Sequence, residues 1–209
     1  MFARDRDLLV LEPGLMRDVA WNGQRVLNTT GVLNGDSLAL TSGSWIDAGV
    51  GPGFVVAIDG VAHEIVSVQD ATFATVSLIR ASGESDPVVA SIAGTPSVVV
   101  HTFSPQIGLV HRQVLAMLGI DPDDPEGPGA GAVLNPGSLV RVEALGALHL
   151  IYASAAAPGR GGEAYAERAE RYKRRFGAER GRVSALIDLD GDGVAETRRH
   201  PNAFVLTRG

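Results

Sequence analysis

"FVVAIDGVAHEIVSV", residues 54 to 68, decides the class of fold. Two β-prone runs flank Asp59-Gly60, a pair favoured in tight type I′ hairpin turns because glycine tolerates positive φ. The stretch therefore predicts two antiparallel strands joined by a two-residue turn. Around it, "SLALTSGSWIDAG" (37–49), "TFATVSLIRAS" (72–82) and "PSVVVHTF" (96–103) read as further short strands separated by Gly, Asp and Ser. Residues 24–103 thus predict a small antiparallel β-barrel or sandwich. Residues 1–23 carry no clear period, apart from a turn at Pro13-Gly14.

At Ser104 the pattern changes. Ser104 is suited to the N-cap and Pro105 to the first helical position. Ile107, Val110, Val114 and Met117 then repeat at helical spacing, and Gly119 stands where a helix-ending glycine belongs. "DPDDPEGPGAGAVLNPG" (121–137), with four prolines and four glycines, reads as a loop. Asn135 and Pro136 then restart a helix by the same capping logic. The helix beginning at "SLVRVEALGALHLIYASAAA" is apolar nearly all round, which predicts burial on several sides and contact with other subunits. Pro158 and "GRGG" end it. "EAYAERAERYKRRFGAER" (163–180) is a further helix, with Tyr165, Ala169, Tyr172 and Phe176 on one face. Glu167–Arg171 and Glu170–Arg174 stand at the i,i+4 spacing of ion pairs. "RVSALIDL" and "NAFVLTR" read as two terminal strands. The fold class is therefore α+β, with a β-rich domain over 1–103 and a helical domain over 104–209.

Composition narrows the chemistry. The chain has 209 residues, no cysteine and a formal net charge of −6. Disulfides and thiolate metal sites are excluded, and bulk charge disfavours nucleic-acid binding. The apolar run near the N-terminus is too short for a signal peptide, and no stretch is long enough for a membrane span. A soluble protein is expected.

Motifs with chemical meaning are few. His63-Glu64 lacks the second histidine of a zincin and reads as a half-exposed strand pair with side chains on opposite faces. "GVGPG" (49–53) precedes a strand, and "GRGG" has no Lys-Ser/Thr after it, so neither is a phosphate loop. The five histidines show no ligand spacing. No catalytic constellation emerges, so no enzyme and no cofactor are expected. "DLDGDGVAE" (188–196) matches the first positions of a calcium loop with Asp188, Asp190 and Asp192. Arg199 stands where the bidentate carboxylate should be, so a hairpin tip is the leading reading and a weak cation site the alternative. "RYKRR" (171–175) places Arg171, Arg174 and Arg175 as candidate contacts to an acidic neighbouring subunit or to DNA, beside the blander reading of a solvated helix face.

Three segments together, "SLVRVEALGALHLIYASAA", "EAYAERAERYKRRFGAERGRVSALIDLDGDGVAE" and "TRRHPNAFVLTRG", resemble the head–tail connector (adaptor) proteins of tailed bacteriophages and related gene-transfer particles. The resemblance covers residues 104–209. It implies a structural virion protein, assembled in the host cytoplasm into a ring typically of about twelve copies beneath the portal protein. It further implies a helical connector core with a C-terminal β-hairpin and tail, a downstream neck or tail protein on the opposite side, and double-stranded DNA passing through the lumen. Phe204, Val205 and Leu206 become candidate portal contacts. The β-rich domain has no counterpart in the simplest adaptors. The reading from another class is a calcium-binding, β-rich interaction module that uses the DLDGDG loop.

Overall fold

The computed structural model describes residues 1–89, 92–156 and 162–201. The chain is mixed α+β and forms two compact units. One is Arg4–Phe103; the other joins Met1–Ala3 to the chain from Ser104 onward.

The first unit is a closed antiparallel barrel of six strands. These are β1 (Gln24–Asn34), β2 (Ser37–Leu40), β3 (Val55–Ile58), β4 (Val61–Val68), β5 (Phe73–Leu78) and β6 (Ser97–Thr102), in the order β1-β2-β5-β4-β3-β6. Closure resolves the choice between barrel and sandwich, and it leaves no strand edge unpaired within the sheet. The Asp59-Gly60 turn forms as the sequence predicts, with both residues at positive φ (46° and 82°). β1 closes the ring by pairing with β6 over Gln24–Thr30 and with β2 over Gly31–Asn34. The change of partner falls at Gly31, where a Cβ would stand 2.8 Å from the Ala39 carbonyl oxygen. Leu38, Val56, Ile58, Ile65, Val76, Val98 and Val100 fill the interior, and Trp45 and Val50 from the loop after β2 complete it. The Trp45 indole N–H donates to the Thr72 carbonyl at 3.0 Å, so its polar edge is satisfied.

Residues 4–23, unreadable by period, form α1 (Asp5–Leu11), α2 (Leu15–Val19) and a 3-10 turn, Ala20–Asn22. α1 supplies Arg6, whose Nε donates to Glu64 on β4. Arg80 donates to the same carboxylate from its Nε at 2.6 Å and from its backbone N–H at 3.0 Å. His63 and Glu64 do point to opposite faces, but neither is half-exposed: both are fully buried. Strand pairing sets His63 beside Val56, on the interior face, while Glu64 meets its two arginines on the other. α1 also supplies Asp5, which accepts the Thr102 hydroxyl at 2.7 Å and the Phe103 N–H at 2.8 Å.

The second unit packs α3 (Ser104–Met117), α4 (Gly137–Ala155) and α5 (Gly162–Arg180) beside a two-stranded antiparallel sheet, β7 (Ala185–Ile187) and β8 (Thr197–Arg199). α3 ends in a Schellman motif at Gly119: Ile120 N–H reaches Leu115 O and Gly119 N–H reaches Ala116 O, each at 3.0 Å. α4 is buried along almost its whole length within the single chain. Its all-round apolarity thus needs no neighbouring subunit, contrary to the expectation from sequence. Gly146 permits the close packing, since a Cβ there would lie 2.6 Å from Val110 and 3.1 Å from Phe176. Asn135 does not cap α4; its side chain bonds the backbone of Ser184 and Leu186 instead. The loop at 132–134 likewise bonds the β7 segment, through an isolated bridge between Val133 and Ile187. The partner of β7 is Thr197–Arg199, immediately after the acidic loop, whereas "NAFVLTR" lies outside the described residues. No helix among the described residues is long and apolar enough to cross a membrane.

Two stability predictions follow from the barrel's buried charges. Glu64→Gln leaves two largely buried guanidiniums facing a neutral amide, and is expected to cost about 3–5 kcal/mol in urea denaturation; a loss below about 1 kcal/mol would show that water replaces the carboxylate. Burial raises the Asp5 carboxyl from 3.8 to about 6, against its two hydrogen bonds. Its favourable contribution is complete below pH 3.8 and is lost as pH rises through about 6. Asp5→Asn should therefore remove a decline in stability of up to about 3 kcal/mol between those pH values. Denaturation midpoints of both proteins across the window, compared pairwise, test this.

Candidate functional site

The two charged features singled out in the sequence both fall in the helical unit. The first is the loop between β7 and β8. Asp188, Asp190, Asp192 and Glu196 each bring a carboxylate oxygen to within 4.8 Å of the others. Glu196 stands at the ninth position of the calcium-loop count. Such a group of oxygens is the donor set of a hard cation.

Each carboxylate is also used by the loop itself. Asp188 accepts the N–H groups of Gly191 at 2.7 Å and Gly193 at 2.9 Å, one on each oxygen. Asp190 accepts from Asp192 N–H, Asp192 from Val194 N–H, and Glu196 from Leu189 N–H. The loop is therefore a series of side-chain-to-backbone turns, complete without a cation. These bonds, that of Gly193 foremost, hold the Asp188 carboxyl below the usual carboxylate range, against the opposing effect of burial. Asp188 is buried and structural, whereas Asp190, Asp192 and Glu196 are exposed. Arg199, at the calcium-loop position that needs a carboxylate, turns away: its Nη1 donates to the Leu118 carbonyl at 2.7 Å and closes the C-terminus of α3.

The second feature is the basic side of α5. Arg171 and Arg175 converge on one ring, with guanidinium carbons 5.7 and 5.5 Å from the Tyr172 centroid. Tyr172 in turn stacks on Tyr152, 5.8 Å away with the planes 5° apart. Arg168 covers Tyr152 at 5.4 Å and donates to its hydroxyl at 3.0 Å. Cation–π contacts of this kind contribute about 0.5–1 kcal/mol each at exposed sites. The spacing 168–171–175 places the three arginines along one flank of the helix.

Neither expected i,i+4 ion pair forms among the described residues. Glu170 meets Lys173 at 3.4 Å instead, and the tyrosine faces take Arg171. Glu179 is engaged by Arg141 of α4 at 3.6 Å. Arg171 and Arg174 are exposed and Arg175 half-buried. The stacked arginines were missed as a set because Tyr152, which Arg168 covers and on which Tyr172 stacks, lies on a different helix, α4. The i,i+3,i+7 spacing with aromatics between was the available signal.

Phe204, Val205 and Leu206, the candidate portal contacts, lie outside the described residues. The chain matches no protein-family model, no curated protein and no solved structure.

Asp188→Ala is expected to lower the melting temperature and to speed hydrogen exchange at Gly191 and Gly193 by at least about tenfold. Asp190→Asn with Asp192→Asn should leave both unchanged. Equal losses in the two variants would mean that the loop is held by its exposed aspartates.

Proposed function

We propose that this chain is a structural assembly protein whose copies join into a closed ring, in the role of a head–tail adaptor between a portal and the next neck or tail protein. The observation that carries the proposal is the charge pattern of the helical unit. One unit presents both an exposed acidic loop, with Asp190, Asp192 and Glu196, and an exposed basic helix flank, with Arg171 and Arg174. Complementary patches at different places on one molecule make head-to-tail contacts, and such contacts close into rings when the rotation allows. Stacking on Tyr172 holds Arg171 and Arg175 in place before contact, which lowers the ordering cost of binding. The likeness of residues 104–209 to phage connectors supplies the setting: the portal as template, Phe204–Leu206 as the segment that docks on it, and DNA passing through the lumen.

Light scattering of the protein alone and mixed with a portal ring tests the reading. A defined ring is expected, sensitive to added salt because exposed charges are screened. Arg174→Glu with Arg171→Gln should abolish it without unfolding the chain, and Asp190→Asn with Asp192→Asn should weaken it. Partial return of assembly on pairing Arg174→Glu with Asp190→Lys would identify the two patches as partners. A monomer under every condition, with or without the portal, overturns the proposal.

A second reading rests on the four convergent carboxylates: a calcium-dependent interaction module. It expects calcium to raise the melting temperature by several degrees, EDTA to reverse the rise, and Asp190→Asn with Asp192→Asn to eliminate it. No shift at millimolar calcium would exclude it.

A further inference from the structure

The outer wall of the barrel carries a half-open cavity of about 330 Å³. Its floor is a patch on two paired strands, where Val55 of β3 stands opposite His101 of β6 and Ala57 opposite Val99. Met16, Arg17 and Ala20 form a side wall, and Gly60 and Ser97 close the hairpin end. The cavity exists because the positions around it are small. Ala57 takes the place of the larger β-branched residues beside it, and Gly60 has open space where a side chain would stand. The volume is near the lower end of the range for small-molecule sites.

The lining divides into two chemistries. Val55, Ala57, Val99 and Met16 are apolar. Arg17 brings a guanidinium on a side chain that is 83% exposed, and His101 brings an imidazole. The ring's Nδ1 is buried with no hydrogen-bond partner. A proton there would be an unmet donor, so the Nε2–H tautomer is the favoured one. Arg25 stands opposite His101 on β1 and adds a further positive charge to the neighbourhood. Of the two nearby acids, Asp59 accepts the Ser97 N–H at 2.8 Å, and Asp18 accepts the Arg17 Nε at 3.1 Å, so the Arg17 Nη groups are the ones left to meet a ligand. An apolar floor with cationic and N–H donors beside it suits a ligand with a hydrocarbon body and a single anionic end.

We propose that this cavity binds a small amphipathic carboxylate of about ten non-hydrogen atoms, its hydrocarbon on Ala57, Val99 and Met16 and its carboxylate taken by Arg17 and His101. The site lies wholly in the barrel and does not depend on the ring proposed above.

Sodium octanoate is the probe and 1-octanol its neutral counterpart, each titrated into the full-length protein and followed by amide and imidazole NMR shifts. Octanoate should shift Val55, Ala57, Val99 and His101 saturably, with a dissociation constant on the order of 0.1–1 mM. Octanol should bind at least about fivefold more weakly, and Arg17→Gln should weaken octanoate about tenfold. Ala57→Leu fills the floor and should abolish binding while keeping the melting temperature. Arg17 is exposed, so its variant keeps the test valid even if Ala57→Leu perturbs folding. Three results would overturn the proposal: no saturable shift up to about 10 mM, equal binding of octanol and octanoate, or octanoate binding unchanged in both variants.

Discussion

A carboxylate with no access to water must be surrounded by donors, and Glu64 meets that demand from two directions. Arg6 reaches it from α1, and Arg80 from the segment after β5. Arg6 also donates to the Arg80 carbonyl at 2.7 Å, so the two arginines are tied to each other as well as to the acid. Removing a charge from water costs several kcal/mol, and the cost is recovered only when every partner is in position. The arrangement therefore couples three parts of the chain that hydrophobic packing alone would leave free to slide. α1 is held on β4, and the segment carrying Arg80 is drawn onto the same strand. The apolar interior of the barrel, filled largely by Val, Leu and Ile, provides cohesion. The buried charges outside it provide register.

The helical unit meets its polar demands differently. Among the described residues its fully buried acid is Glu143 on α4, which accepts the Phe2 backbone N–H at 3.0 Å and faces His111 at 3.3 Å. Elsewhere it uses side chains to finish backbone that regular structure leaves open. Asn135 bonds the strand at 184–186, Arg199 closes α3, and Asp188 threads the turn of the acidic loop. Each is a charged or amide group facing backbone partners. The tip of the loop and the basic flank of α5 remain exposed.

The parts of this structure that were legible in the sequence are those set by neighbours along the chain. The Asp59-Gly60 turn, the glycine that ends α3 and the span of α5 follow from local rules and appear where those rules place them. α1 and α2 were not legible, because seven and five residues are too few to establish a period. The partners that hold α1 lie 58 and 74 residues beyond Arg6, at Glu64 and Arg80. Asn135 shows a local rule losing: a good cap was used instead for a bond across 51 residues. Arg171 shows another, since a tyrosine face displaced the glutamate one turn earlier. At the acidic loop, the spacing of aspartates was visible, but whether they serve a cation or their own backbone was not. That depends on where the N–H groups point.

Asp5 joins the first and last residues of the barrel unit. Its carboxylate, one residue past the start at Arg4, accepts the N–H of Phe103, the unit's final residue. Met1–Ala3, which form no regular structure, belong to the other unit, so the chain enters the barrel unit at Arg4 and leaves it at Ser104. The entrance and exit of the barrel unit are thus fastened together. Ends fastened in this way let the barrel unit keep its fold independently of the chain that joins it on either side.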